Sequence, residues 1–150
     1  MPSPNEQDSM DGGIPCDEHE IMTDRYSQGM KLRRAVLGEA HVDRAEASRD
    51  ALDTPFQTLI AEAAWGTVWA SDAISPRERS MLTLAILAAT GSFDEIPMHV
   101  RATLRTGATP RDVMEAFQHV AIYAGVPKAN HAIRLAKATF AEMEAADDAL

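Results

Sequence analysis

The chain has 150 residues, 45% hydrophobic and 25% charged, enough for one core and within the usual range for a globular domain. Its net charge of -9 is concentrated: seven of its 23 acids and none of its 14 Lys and Arg lie in residues 1–24, so the rest is nearly balanced and lacks a basic stripe for nucleic acid. A single cysteine, Cys16, rules out an internal disulfide, and no apolar run approaches the roughly 20 residues that span a bilayer.

Residues 1–23 mix Pro, Ser, Gly and Asp with few apolar positions and read as a disordered acidic extension. Their acidic character is the reverse of a signal peptide, so a reducing cytoplasm is the expected compartment. The folded domain is expected over 24–150. Its helices are expected near 25–37, 43–52, 55–69, 76–90, 93–106, 110–124 and 127–146, because apolar residues recur every three or four positions.

Helix starts are marked by Thr54-Pro55-Phe56-Gln57, Ser75-Pro76-Arg77-Glu78 and Thr109-Pro110-Arg111-Asp112. In each, a hydroxyl can cap free N–H groups, Pro suits the first helical position, and the third residue can complete a capping box. Stops are expected at Gly38, Gly91, Gly107 and Gly125. The stretch Met81 to Thr90 is apolar nearly all round, as in a helix at the centre of a bundle or at a subunit interface. No segment alternates as a strand. The expected fold is an all-α bundle of six to seven helices.

Candidate chemistry centres on Glu95 and His99, four residues apart and so on one face of a helix. A carboxylate there can orient an imidazole and raise its pKa, although the same spacing suits a solvated surface pair. Arg101 follows on the same segment, and Arg79 directly precedes the apolar stretch. A guanidinium in such a place matches a carboxylate in geometry, or forms a structural ion pair. His41, just after Gly38, can reach a cleft or cap a helix end. Trp65 and Trp69 are more in keeping with core packing than with a ligand shelf. The histidines are scattered, with no HExxH or Cys/His set for a metal, and there is no glycine-rich nucleotide loop.

Taken in order, Arg25-Tyr26, Gly29-Met30, the stretch Arg33-Arg34-Ala35-Val36-Leu37-Gly38-Glu39-Ala40-His41-Val42-Asp43-Arg44, Trp65-Gly66-Thr67-Val68-Trp69, Arg79 to Ala85, Glu95 to Arg101 and Tyr123 to Asn130 resemble the carboxymuconolactone decarboxylase family over about residues 25–143. The wider superfamily contains alkylhydroperoxidase-like proteins with a CxxCxxxH motif. With its histidine at His99, the cysteine positions fall on Ser92 and Glu95, so thiol redox chemistry lacks its nucleophile.

The resemblance implies an alkylhydroperoxidase-like bundle and a decarboxylase that needs no cofactor and no metal, acting on a small carboxylated lactone, 4-carboxymuconolactone, in aromatic catabolism. It implies His99 and Glu95 as catalytic residues, with Arg79, Arg101, His41 and Arg44 binding substrate. It further implies a homo-oligomer, a trimer or hexamer, with neither nucleic acid nor membrane as partner. The chain departs from the family at Ala70-Ser71-Asp72-Ala73, where a basic residue and Pro-Gly are usual, and at Thr106-Gly107, where Asn-Gly is common. Another carboxylated lactone or β-keto-acid-like substrate, or a scaffold without activity, are the alternatives these departures leave open.

Overall fold

A computed structural model describes residues 18–148, the side chains from Asp24 onward. Residues 1–17, most of the expected extension, and Cys16 with them, lie outside the described residues. Seven α-helices follow: α1 (Glu18–Leu37), α2 (Glu39–Ala47), α3 (Thr54–Leu59), α4 (Pro76–Thr90), α5 (Ile96–Thr106), α6 (Pro110–Tyr123) and α7 (Val126–Asp147). A π-helix, Ile60–Val68, continues α3, and a 3-10 turn, Phe93–Glu95, leads into α5. No strand occurs among the described residues, so the all-α expectation holds.

Local chemistry explains most boundaries. Ser75 and Thr109 form complete capping boxes with Glu78 and Asp112, as their sequences predict. Gly38, Gly91, Gly107 and Gly125 all have positive φ, and each interrupts or ends a helix. Three expectations fail. First, α1 starts at Glu18 rather than near 25. Second, α2 spans Glu39–Ala47 rather than 43–52, because Asp50 pulls the chain into a turn. Its carboxylate accepts from the backbone N–H of Leu52 and Asp53, and its carbonyl accepts from Thr54. Third, Thr54 is not the cap of α3: its hydroxyl donates to the Asp50 carbonyl, and Asp53 occupies the cap position with no side-chain bond.

The α1–π-helix crossing is a backbone-to-backbone contact that only glycine permits. A Cβ on Gly29 would lie 2.0 Å from the carbonyl oxygen of Ala61, and one on Gly66 would lie 2.4 Å from that of Arg25. The wider π turn is visible in Trp69, whose N–H reaches the Ala64 carbonyl at 2.8 Å. Trp65 and Trp69 meet with tilted rings, centroids 5.1 Å apart, and pack with Val36, Leu37, Val42, Ala102 and Met98. A second, larger cluster joins α4, α5, α6 and α7 around Leu84, Ile96, Val100, Val113 and Phe117. Helix α5 therefore stands between two cores, with α1 and α2 on one side and α4, α6 and α7 on the other. Helix α4 is not buried all round in the single chain, since Leu82 and Ile86 are 54% and 60% exposed.

Candidate active site

The first turn of α2 and the outer face of α5 meet across Gly38. Its φ of 92° and lack of a side chain matter here: a Cβ would sit 2.7 Å from the Arg105 guanidinium. The resulting cleft, of about 1010 Å³, is floored by apolar Leu37, Met98, Leu104, Phe140 and Met143. Its polar wall carries His41, Arg44, Arg101 and Arg105 on one side and Glu142, Glu144 and Asp147 of α7 on the other. With Arg101 bonded to Glu142, Arg44 and Arg105 beside His41 are the cations of the lining that a small organic anion could meet.

His41 gathers the site's charges. Partial burial holds its imidazole below the ordinary range, and the Arg44 and Arg33 cations push it the same way, while the Glu95 carboxylate opposes them. His99 is more strongly affected: burial first, then the neighbouring His41, lower it from 6.5 to about 4. Both imidazoles are therefore mainly neutral at pH 7. A neutral imidazole offers one N–H donor and one acceptor, which suits a developing oxyanion or a proton relay.

Glu95 does not pair with His99 as the spacing suggests. Among the described residues no hydrogen bond joins them, and the charge of Glu95 is felt at His41 instead. The reason is local: Glu95 is the exposed cap residue between the 3-10 turn and α5, and Pro97 occupies the first turn behind it. Arg101 is on the cleft rim but bonded to Glu142 at 2.6 Å, both side chains at least half exposed. His99 and Glu95 are not among the residues lining this cleft, and neither is Arg79. Its Nη2 donates to the Ser71 carbonyl at 2.8 Å, while its buried Nε finds no partner among the described residues. Glu78, the alternative partner, instead caps Ser75.

The same bond gives the unusual segment at Ser71 a structural task, since Arg79 ties it to α4. Thr106 likewise replaces the usual Asn with a buried hydroxyl that pairs with Ser80 at 2.7 Å. Sequence reasoning passed over Arg33 as a functional group. It is 8% exposed, and only its distance in sequence from His41, bridged by the α1–α2 turn at Gly38, concealed their proximity. Among the described residues no three His, Cys, Asp or Glu cluster as a metal site would require. No helix among them is long and apolar enough to cross a membrane.

The signature of the carboxymuconolactone decarboxylase family matches residues 54–138. A 4-carboxymuconolactone decarboxylase of Acinetobacter baylyi is 38% identical over 119 residues, 79% of this chain and 89% of that protein. A nitrosuccinic acid decarboxylase of Metarhizium robertsii is 33% identical over 118 residues, 79% of this chain and 82% of its own. A 4-carboxymuconolactone decarboxylase sequence from Pseudomonas putida is 48% identical over 42 residues, 28% of this chain and 88% of its own. Signature and relatives together make the chain an enzyme of carboxy-lyase type, and it belongs to the carboxymuconolactone decarboxylase family.

Proposed function

We propose that this chain decarboxylates 4-carboxymuconolactone to 3-oxoadipate enol-lactone and CO2, a step of protocatechuate breakdown in the cytoplasm. The observation that supports it most is an apolar cleft lined by His41, Arg44 and Arg105, with the buried, neutral His99 imidazole neighbouring His41. The cleaved carboxylate sits on a carbon conjugated through a double bond to the lactone carbonyl. When the C–CO2 bond breaks, its electron pair moves toward that carbonyl oxygen and gives a dienolate, which then takes a proton on carbon. Arg44, with Arg105 across the cleft, balances the substrate's carboxylates. The imidazole pair stabilises the oxyanion by N–H donation and relays to carbon the one proton that the reaction takes up from solvent, and the exposed carboxylate of Glu95 tempers the cations around His41. Each of these groups acts without a cofactor.

A second reading is an acid in which another acceptor group, a nitro group for example, takes up the electron pair; the named activity of the Metarhizium relative favours it. Purified protein incubated with 4-carboxymuconolactone, and separately with nitrosuccinate, separates the two by CO2 release. Turnover of the lactone supports the proposal. Turnover of nitrosuccinate alone transfers the site to the second reading, and CO2 from neither removes both.

We also infer a homo-oligomer, a trimer or hexamer. Leu82 and Ile86 on α4, with Ile122, Tyr123 and Val126 at the α6–α7 junction, are more than half exposed in the single chain. Light scattering is expected to give three or six times the chain mass of 16.3 kDa. A monomer would contradict the inference.

A further inference from the structure

The cleft has a basic wall and an acidic wall, and one ion pair joins them. Arg101 of α5 donates through Nη2 to Glu142 Oε2 of α7 at 2.6 Å, although the two are 41 positions apart in sequence. Both residues line the cleft. No other ion pair among the described residues joins two residues of this lining. Arg44 and Arg105, on the same wall as Arg101, have no carboxylate within ion-pair distance among the described residues. The wall thus presents two open cations and one that is already neutralised.

This division bears on a reaction in which the substrate changes charge. 4-Carboxymuconolactone and nitrosuccinate each carry two carboxylates and keep one. The C–CO2 bond breaks, the departing carboxylate becomes neutral CO2, the electron pair ends in a new C–H bond, and solvent supplies the proton. A cation on the retained carboxylate holds it equally before and after this step. A cation on the departing carboxylate holds the ground state and loses its grip as the bond breaks, so it tightens binding and raises the barrier together. Arg101 and Arg105 are four residues apart on one face of α5, close enough for the two carboxylates of one small diacid to meet both. An open Arg101 would therefore grip the wrong end of the substrate.

We propose that Glu142 is a specificity-determining residue that acts through Arg101. By occupying that guanidinium it leaves the departing carboxylate without a cation, while Arg44 and Arg105 hold the carboxylate that stays. This rests on the decarboxylase reading. Both partners of the pair are at least half exposed, and such a pair is worth roughly two- to fivefold in an equilibrium, which sets the size of the expected effects.

Steady-state kinetics of CO2 release test this with whichever of the two acids the parent turns over. Glu142→Gln, which opens Arg101, is expected to lower KM and kcat together by roughly two- to fivefold, with kcat/KM near the parent. Arg101→Met leaves an unpaired carboxylate in the lining and is expected to raise KM without lowering kcat. The double variant, with both charges gone, is expected to return both constants to near the parent. Glu144→Gln removes an acid of the same wall that has no bond to Arg101, and is expected to change neither constant. Succinate, a diacid with no group to accept the electron pair, is expected to inhibit Glu142→Gln more tightly than the parent.

A merely structural bridge between α5 and α7 predicts a different pattern: losing either partner would act alike, and the double variant would be no better. That pattern, or unchanged constants in Glu142→Gln, overturns the proposal. So does a double variant whose KM stays as high as that of Arg101→Met, because Arg101 then grips the acid itself. Equal effects of Glu144→Gln and Glu142→Gln overturn it as well, since the field of the whole wall would suffice. A parent that releases CO2 from neither acid removes the decarboxylase reading and this proposal together, whereas parent turnover with a flat variant series removes the proposal alone.

Discussion

A neutral His99 beside His41 has an N–H to donate but no spare proton, and this has a consequence for stability. Burial and His41 hold its folded pKa at about 4, against 6.5 for an unhindered imidazole. Between these values the unfolded chain binds a proton that the folded chain refuses. Stability therefore rises with pH across this window and is lost as pH falls from 6.5 toward 4. His41, lowered for similar reasons, adds in the same sense. Urea unfolding at pH 7 and pH 4.5 is expected to show a smaller loss on acidification for His99→Gln than for the parent. Equal losses would mean that His99 is not held neutral by the fold. His99 was legible in the sequence as a candidate, but its partner was not. Helical spacing pointed to Glu95, whereas the interacting group, His41, lies 58 positions earlier and is brought in by the packing of α1 and α2 against α5. Long-range proximity of this kind leaves no periodic trace.

Among the elements, the α1–π-helix crossing shows why the site is held in register. Glycines at 29 and 66 let two backbones touch, which fixes α1, and through the turn at Gly38 fixes α2 with His41 and Arg44. Gly29→Ala would drive a methyl into the Ala61 carbonyl, so the helices must part; a loss of about 2–4 kcal/mol is expected from chemical denaturation. Gly107→Ala meets nothing within 4 Å and is strained only by its φ of 83°, so a loss nearer 1 kcal/mol is expected. Similar losses for the two would contradict this account of the crossing. The capping boxes at Ser75 and Thr109 were readable because all their atoms lie within four residues. The π-helix was not, since its apolar spacing over 55–69 matches an α-helix and the extra residue per turn arises from packing. Asp50 misled in the opposite direction, as a local turn cut short a helix that the periodicity continued.

Over the whole molecule, two apolar cores share α5, and the residues that bear on the chemistry lie along that seam: His99 and Arg105 on α5, His41 and Arg44 on α2. The all-α class and the family were legible because they rest on patterns spread over most of the chain. The cleft was only half legible. Arg79, which directly precedes the apolar stretch, braces the Ser71 segment instead of lining the cleft. The central claim is that the His41–His99 pair carries a proton-consuming decarboxylation. Its most direct measurement is the initial rate of CO2 release from 4-carboxymuconolactone by the parent, His41→Gln and His99→Gln, each confirmed as folded. The account predicts turnover by the parent and a loss of roughly 100-fold or more in kcat for both variants, as expected when a proton-transfer group is removed. Rates within a fewfold of the parent in either variant would contradict it.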